Sequence, residues 1–290
     1  MITAGLRRAI GAAAGRQDAE PLLRPGPVPG SYASSLPFRL DPGAPGKAAA
    51  RLAARLSDEL WIATAEVTGP GFLTVTVTHA TLARLAIRIV NAGPACAESD
   101  ALAGRTIPAP RPAAVTGSPQ ARAALAAELT VRLAAAAGAV MSTERTPVPA
   151  PAPLSPGPVA EAIHYAGPDA VRFALARMPP GGQPPEAAVV ARHVLANPAY
   201  AVRYAHAAAA SVLRWAAALE IRPAGFKPRL LAEPGELALL DALSWLPERV
   251  AVAARRGRPD EFAGYLAELA ARTGLAAGLG LLGIGAPGRL

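Results

Sequence analysis

Residues 197–207 read Asn-Pro-Ala-Tyr-Ala-Val-Arg-Tyr-Ala-His-Ala, which is a helix start followed by helix-compatible residues. Asparagine is a preferred N-cap, and proline is favoured at the first helical position. We therefore predict a helix over residues 198–219. Tyr200, Arg203 and Tyr204 are spaced i, i+3 and i+4, so they share one face near the positive end of this helix.

Helical spacing extends on both sides of this helix. The predicted helices cover residues 159–178, 185–195, 198–219, 234–256 and 260–275. A run of helices without intervening strand patterns is typical of a helical bundle. We predict an all-α bundle for residues 159–290.

The N-terminal part of the chain has a mixed pattern. Residues 47–60 place leucines at helical spacing, with arginines between them. Residues 61–67 and 71–78 alternate apolar side chains with threonine or glutamate, and Gly69-Pro70-Gly71 supplies a turn between them. Residues 81–90 return to helical spacing. We predict an α+β domain for residues 1–93.

Residues 94–158 separate these two regions and are dominated by proline, alanine and threonine. They contain one strong helix pattern, with Ser118 as N-cap, Pro119 at the first position and Gly138 beyond the end. One helix cannot build a domain alone. We predict a linker with one helix for residues 94–158.

Composition narrows the classes of function. With 52% hydrophobic and 17% charged residues, the chain has apolar material for sizeable cores. It has 29 Lys and Arg against 21 Asp and Glu, a net charge of +8, which permits an anionic partner such as nucleic acid. The single cysteine, Cys96, excludes an internal disulfide and a cysteine-cluster metal site.

No membrane or export segment is expected from the sequence. The longest uncharged stretch, residues 273–288, is glycine-rich and shorter than the roughly 20 apolar residues that a bilayer requires. The apolar run in residues 1–14 is too brief for a signal peptide, so we predict a first helix there. These features predict a cytoplasmic protein without membrane contact.

Catalytic and metal motifs are absent from the sequence. None of His79, His164, His193 and His206 lies in a local nucleophile motif. No metal-binding H-E-x-x-H helix and no glycine-rich phosphate loop after a strand is found. The sequence therefore predicts no catalytic residues, no cofactor and no metal.

RNA recognition uses exposed aromatic side chains with arginines nearby, and Tyr200, Arg203 and Tyr204 fit that description. The alternative is that both tyrosines pack inside the bundle with their hydroxyl groups hydrogen-bonded. Phe72, at a predicted strand start, has the same two interpretations: a core aromatic or an exposed stacking platform.

Several stretches of the C-terminal region resemble arginyl-tRNA synthetases. Residues 167–173, Gly-Pro-Asp-Ala-Val-Arg-Phe, are similar to the opening of that family's DALR anticodon-binding domain. Residues 197–207 resemble its N-P-x-Y-Y-V-Q-Y-A-H-A-R helix, and residues 281–290 its closing G-L-x-L-L-G-I-x-A-P-E-R-M. The chain departs from the helix motif at Ala201, Arg203 and Ala208, which replace tyrosine, glutamine and arginine.

The N-terminal region resembles the same family. Residues 30–34, Gly-Ser-Tyr-Ala-Ser, are similar to its G-D-Y-A-T-N motif, and residues 69–74 to its G-P-G-F-L-N motif. The resemblance implies that Phe72 stacks on a D-loop base of tRNA. Thr74 stands at the base-contacting asparagine of the family, so an amide contact to a base edge is lost there.

The family's catalytic signatures are degenerate in this chain. Residues 116–119 and 141–145 resemble remnants of its T-G-P-x-H-x-G-H and K-M-S-K-R motifs. No histidine occurs between His79 and His164, and Thr143 stands where the signature lysine would stabilise developing charge. The resemblance therefore implies tRNA-contacting domains without adenylate chemistry, and no complete Rossmann catalytic domain.

Our leading hypothesis is a catalytically inactive arginyl-tRNA synthetase paralogue that binds tRNA, with arginine tRNA as the expected partner, or regulates its use. Phe72 would stack on a D-loop base, and Thr74 would belong to the same tRNA-binding site. Tyr200 and Tyr204 would stack on anticodon-loop bases. The arginines expected to contact phosphates are Arg203, Arg214, Arg255, Arg256 and Arg258.

The main alternative is a protein-interaction scaffold of the same family that has lost RNA binding. Its partner would be a full-length aminoacyl-tRNA synthetase or a second copy of the chain. The altered positions Thr74, Ala201 and Ala208 motivate this alternative. Residual arginine-tRNA ligase activity is a third hypothesis, which ATP-pyrophosphate exchange dependent on arginine would establish.

Overall fold

A computed structural model describes residues 2–16, 21–111, 118–147, 158–183, 186–221 and 227–281 of the chain. Two compact units are present. Among the described residues, unit 1 takes in residues 2–96 and 227–245, and unit 2 takes in residues 97–221 and 246–281. Residues 282–290, which make up all but the first residue of the closing motif at 281–290, lie outside the described residues.

Unit 1 is an antiparallel sheet with helices packed against it. The chain order is α1 Ile2–Ala13, β1 Leu23–Pro25, β2 Ser31–Ser34, α2 Leu36–Leu40, α3 Pro45–Leu56, β3 Ile62–Thr68, β4 Phe72–Val77, α4 His79–Ala92 and, after the whole of unit 2's first segment, α10 Pro234–Ser244. The strand order in the sheet is β1-β2-β4-β3. The predicted α+β region at the N-terminus is confirmed.

The turn between β3 and β4 depends on one glycine. Gly71 has a φ of +135°, and a Cβ there would lie 2.8 Å from Pro45 Cβ at the start of α3. Only glycine combines this backbone conformation with such a close approach. The predicted Gly69-Pro70-Gly71 turn therefore also fixes where α3 begins against the sheet.

Helix α10 belongs to unit 1, although its sequence predicted a place in the C-terminal bundle. Leu240 of α10 and Trp245 at its end belong to the same buried cluster as Leu6, Leu73 and Val75. The predicted helix over residues 234–256 is in fact two helices, α10 and α11 Leu246–Arg256. Pro247 in the first turn of α11 supplies the break, because proline has no backbone N–H for a continuing helix.

Hydrogen bonds fix α10 in unit 1. The Tyr32 hydroxyl donates to Ser244 Oγ at 2.7 Å, and Ser244 Oγ donates to the Asp241 carbonyl at 2.7 Å. The Gly30 N–H donates to Asp241 Oδ1 at 2.9 Å. Tyr32 is 1% exposed, and burial raises the pKa of its hydroxyl well above the usual value.

Replacing Tyr32 with phenylalanine is expected to lower the free energy of unfolding by about 1 kcal/mol at pH 7, because one buried hydrogen bond is lost. It should also flatten the alkaline pH dependence. Above a pH of about 10 an unfolded chain releases the tyrosine proton that the folded chain retains, so the wild-type protein loses stability as the pH rises. Urea unfolding at pH 7 and between pH 10 and 11 measures both effects, and equal pH slopes for the two proteins would contradict the assignment.

Unit 2 is helix-rich and contains a short strand pair. Its elements are β5 Thr106–Arg111, α5 Ser118–Ala136, β6 Val140–Pro147, α6 Pro158–Ala166, α7 Pro168–Arg177, α8 Ala187–Val190, α9 Pro198–Ala218, α11 Leu246–Arg256 and α12 Pro259–Leu281. The parallel pair β5 and β6 and helix α5 lie within residues 94–158. That segment was predicted to be a linker with a single helix, and the structure adds two strands to it.

Two further predicted helices differ from the structure. The helix over residues 159–178 is divided into α6 and α7 at Gly167, whose φ of +84° lies outside the helical region. The helix over residues 185–195 is reduced to the four-residue α8. After α8 the backbone turns toward the start of α9, which has consequences for the site described next.

Candidate nucleic-acid interface

The site begins at the N-terminus of α9, where the predicted cap is present. Asn197 has an extended backbone, with φ −85° and ψ 110°, and its Oδ1 accepts a hydrogen bond from the Ala199 N–H at 3.1 Å. Pro198 occupies the first helical position, where a missing N–H costs nothing. The local sequence alone therefore accounts for where α9 starts.

Asn197 also anchors the segment before the helix. Its Nδ2 donates to the carbonyl oxygens of Val190 at 2.8 Å and Arg192 at 2.7 Å. Asn197 is 8% exposed, so these bonds are shielded from water. One side chain thus caps α9 and fixes the segment that carries Arg192 and His193.

Three aromatic rings lie in a row at this end of α9. The rings of His193 and Tyr200 are 5.4 Å apart and 14° from parallel, and those of Tyr200 and Tyr204 are 5.7 Å apart and 25° from parallel. Tyr200 is half-buried, whereas Tyr204 is 43% exposed and His193 is exposed. Because Tyr200 is only half-buried and Tyr204 is exposed, the two tyrosines do not both pack inside the bundle.

These rings line a cavity of about 310 Å³. Its apolar lining includes Ala166 and Ala170, and its polar lining comes from Arg192, His193, Tyr200, Arg203 and Tyr204. Tyr200, Arg203 and Tyr204 share one face of α9, as their spacing predicted, and that face borders the cavity, which the spacing did not predict.

The two arginines of the cavity are available for an anion. Arg192 and Arg203 are exposed. Within the described ranges, neither guanidinium lies in an ion pair with a carboxylate. The lining also contains no acidic side chain. An anion here would meet positive charge that no protein carboxylate already neutralises.

The other predicted phosphate-contacting arginines have different surroundings. Arg255 pairs with Glu248 at 3.5 Å and is only 23% exposed, and Arg256 pairs with Glu261 at 3.1 Å. Arg258 donates two hydrogen bonds to Asp260, at 2.8 and 2.6 Å, and so lowers the pKa of that carboxyl. These three arginines neutralise carboxylates around the turn between α11 and α12.

Arg214 lies further along α9 and is exposed, with its Nη2 donating to Ser211 Oγ at 2.7 Å. It is not among the residues that line the cavity. Of the five predicted arginines, only Arg203 lies beside the rings of His193, Tyr200 and Tyr204.

The two predicted residues of unit 1 also differ from each other. Phe72 is half-buried, and its ring lies 4.9 Å from that of Phe38, so part of the ring remains accessible. Thr74 is 3% exposed, and its Oγ1 shares a 2.7 Å hydrogen bond with Thr68 Oγ1 on the paired strand. Thr74 was predicted to lie at the tRNA contact. In the structure its side chain is buried and joins β4 to β3, so it is not exposed to a ligand.

Sequence reasoning missed Arg192 and His193 as site residues. Both fell inside the predicted helix over residues 185–195, where they had no relation to the face of α9. The signal that could have identified them is Asn197, because an N-cap asparagine retains a side-chain N–H₂ that must find acceptors when buried. The acceptors are the carbonyl groups just before the cap.

Replacing Asn197 with alanine is expected to lower the free energy of unfolding by about 2 to 3 kcal/mol, since the cap is lost and two carbonyl groups lose their donor. Serine at this position retains a capping oxygen but is too short to serve both carbonyls. We therefore expect Asn197→Ser to recover about 1 kcal/mol. Urea unfolding of the two variants separates the contributions, and full recovery by serine would show that the bonds to residues 190 and 192 add nothing.

Comparison with known proteins supports the resemblance for the C-terminal part of the chain. Residues 202–274 match the family described as the DALR anticodon binding domain. The matched segment contains most of α9, with Arg203 and Tyr204, and continues through α10 and α11 into α12. The predicted resemblance to the anticodon-binding region is confirmed there.

Curated relatives agree with this match. The chain is 38% identical over 109 residues to an arginine-tRNA ligase of Clavibacter sepedonicus, covering 37% of this chain and 20% of the relative. It is 45% identical over 83 residues to that of Acidithiobacillus ferrooxidans, covering 28% and 14%. For that of Bifidobacterium longum, the values are 38% over 110 residues, covering 38% and 18%. The chain thus spans about a fifth or less of the length of these relatives.

The described residues contain neither a membrane-spanning helix nor a cluster of metal-ligating side chains. No helix there is both long enough and apolar enough to cross a bilayer. No group of three or more histidine, cysteine, aspartate or glutamate side chains is placed there to hold a metal ion.

Proposed function

We propose that this protein, whose residues 202–274 match an anticodon binding domain, binds tRNA and does not aminoacylate it. The observation that carries the proposal is the cavity at the start of α9, where Tyr200 and Tyr204 form a row with His193 beside Arg192 and Arg203, which have no carboxylate partner among the described residues. Arginine tRNA is the expected partner, because the curated relatives are named arginine-tRNA ligases.

The chemistry of the cavity suits single-stranded RNA. Unstacked bases bind on aromatic side chains whatever their sequence, and arginine neutralises the phosphates between them. Tyr204 offers an exposed ring and Arg203 an exposed guanidinium one residue earlier on the same helix. Arg214 would meet the backbone further along α9. A phosphate at Arg255, Arg256 or Arg258 would first have to displace a carboxylate.

We assign residues 1–93 a second contact, with the tRNA D-loop, through the accessible part of Phe72. Residues 159–290 would carry the anticodon-loop contacts, and residues 94–158 would join the two regions as a degenerate remnant of a catalytic domain. The absence of adenylate chemistry rests on sequence: no histidine lies between His79 and His164, and Thr143 replaces the signature lysine. A tRNA-binding protein of this kind would work in the cytoplasm.

Direct binding tests this proposal. The purified chain is titrated with an arginine tRNA and with an unrelated tRNA, each at low and near-physiological salt. We expect binding that weakens steeply with salt, because every neutralised phosphate releases counterions, and that favours the arginine tRNA. Absence of binding to either tRNA at low salt would overturn the proposal.

One observation favours the protein-interaction scaffold as a second candidate. The later part of α9 and the residue after it expose large apolar side chains at helical spacing: Val212 is 43% exposed, Trp215 54% and Leu219 71%. Neighbouring apolar side chains on a surface often mark a protein contact. Sedimentation of the wild-type chain and of Trp215→Glu over a range of concentrations tests self-association, and titration with a full-length arginyl-tRNA synthetase tests the other partner.

A further inference from the structure

The cavity at the start of α9 combines two kinds of group, aromatic rings and arginine side chains, that favour different parts of a ligand. A row of near-parallel rings favours a planar ring as the next partner, because offset stacking is favourable for aromatic pairs. The exposed guanidiniums of Arg192 and Arg203 favour an anion. A ligand that satisfies both must carry a planar ring and a negative charge.

Size limits the ligand further. A volume of about 310 Å³ lies at the lower end of the roughly 300 to 1,000 Å³ found for small-molecule pockets. The apolar lining, which includes Ala166, Ala170 and Val190, suits a ring face and not a hydrated ion. The cavity therefore suits one nucleotide, with one base and one phosphate, and not a duplex segment.

Arg192 and His193 distinguish this cavity from a simple aromatic helix face. Both come from the segment before α9, and Asn197 holds that segment by its bonds to the Val190 and Arg192 carbonyl oxygens. Because their backbone is fixed before a ligand arrives, less ordering is needed on binding. The lining of the cavity therefore comes from two parts of the chain: Arg192 and His193 precede α9, whereas Arg203 and Tyr204 belong to α9.

We propose that Arg192 and His193 make this cavity a binding site for a single nucleotide, whose base stacks on the ring row and whose phosphate is held by Arg192 and Arg203. The nucleotide is either a free nucleoside 5′-monophosphate or one residue of an RNA strand. Only the second source rests on the proposed tRNA binding. The shared chemistry, one base with one phosphate, is the same for both.

Calorimetric titration with the four ribonucleoside 5′-monophosphates and the matching nucleosides tests the free ligand, and titration with an arginine tRNA tests the RNA strand. The variants are Arg192→Gln, His193→Ala and His193→Phe, which retains a ring. Arg132→Gln is the matched control, because Arg132 is 71% exposed on α5 and does not line the cavity.

Arg192→Gln should weaken binding about tenfold or more, since a charge-assisted contact to phosphate is lost. His193→Ala should weaken it about fivefold or more, and His193→Phe should preserve it. Arg132→Gln should stay within about twofold, as expected for a surface change away from the ligand. With tRNA, Arg192→Gln should also lower the slope of log affinity against log salt by about 0.7.

The possible results separate the two ligand sources. Binding of a monophosphate but not of its nucleoside, weakened by Arg192→Gln and His193→Ala, supports a free nucleotide. The same losses seen with tRNA alone support a nucleotide of an RNA strand. Monophosphate binding without tRNA binding upholds the site and overturns the proposed function.

Two results would overturn the nucleotide site. If the folded chain binds tRNA and both Arg192→Gln and His193→Ala bind it as the wild-type protein does, with no monophosphate binding, the site is excluded while tRNA binding stands. If neither a monophosphate nor tRNA binds at low salt, both proposals are excluded.

Discussion

Replacing Tyr200 and Tyr204 together with alanine is expected to weaken tRNA binding by about 2 to 6 kcal/mol, a loss of about 30-fold or more. Each tyrosine offers one stacking surface, and a stack on an aromatic side chain contributes about 1 to 3 kcal/mol. The rings lie 5.7 Å apart in one row, so the two losses need not be independent. Single and double variants titrated with an arginine tRNA measure the loss and the coupling.

The salt dependence of this variant carries separate information. Tyrosine is neutral, so its removal should lower affinity and leave the slope of log affinity against log salt unchanged. Arg203→Gln should lose less affinity than the tyrosine variant, but its slope of log affinity against log salt should fall by about 0.7, because one phosphate contact is lost. A slope change in the tyrosine variant would mean that the arginines have moved with the rings.

Three control variants distinguish the loss of a stacking ring from a general loss of structure. Phenylalanine at position 200 or 204 retains the ring and should retain most of the affinity. Tyr165→Ala removes a tyrosine that is 67% exposed on α6, outside the cavity lining, and should bind normally. A folded Tyr200→Ala, Tyr204→Ala protein with wild-type affinity would exclude stacking at α9.

Local signals in the sequence predicted the core of the candidate site. The cap at Asn197, the proline after it and the spacing of Tyr200, Arg203 and Tyr204 act within one helix, and the structure has them as expected. Neighbours three and four residues apart on a helix must share a face, whatever the tertiary context. This is why the aromatic face could be derived from the residues alone.

The charge partners of the arginines could not be derived in that way. Arg258 lies two residues before Asp260, but only the turn between α11 and α12 brings the carboxylate onto its guanidinium. Arg192 was missed as a site residue because the sequence predicted a helix over residues 185–195. The hydrogen bonds of Asn197 compete with that helix and end it early. In that competition the side-chain hydrogen bonds of Asn197 to the Val190 and Arg192 carbonyl groups prevailed over helical propensity.

The membership of α10 in unit 1 is the largest departure from the predicted domains, and it depends on contacts between residues more than 200 positions apart. Tyr32 and Trp245 lie with ring centroids 5.2 Å apart, and Trp245 is 4% exposed within the cluster that contains Leu73. No periodicity within residues 234–256 indicates that residues 234–245 will pack in unit 1 and the rest in unit 2. Long-range packing of this kind is not encoded in any local window.

Trp245→Ala is the stability prediction with the largest expected effect, a loss of about 3 to 5 kcal/mol in the free energy of unfolding, because a large buried side chain leaves a cavity in unit 1. Trp245→Phe should cost considerably less. Nε1 of Trp245 is buried without a hydrogen-bond partner among the described residues, so phenylalanine removes an unsatisfied donor while it keeps an aromatic ring beside Tyr32. Trp215→Ala, at a tryptophan that is 54% exposed, is the matched control and should change stability by about 0.5 kcal/mol or less.

Hydrogen exchange shows where the Trp245→Ala protein is weakened, which urea unfolding alone does not. If residues 234–245 complete the core of unit 1, amides of β2 and β4 should exchange faster in this variant, while those of α5 and α12 keep their protection. Loss of protection in α5 and α12 alone would instead assign Trp245 to unit 2. The expected pattern means that the segment matched as an anticodon binding domain does not fold as a closed module, because its α10 is stabilised by strands more than 150 residues earlier in the chain.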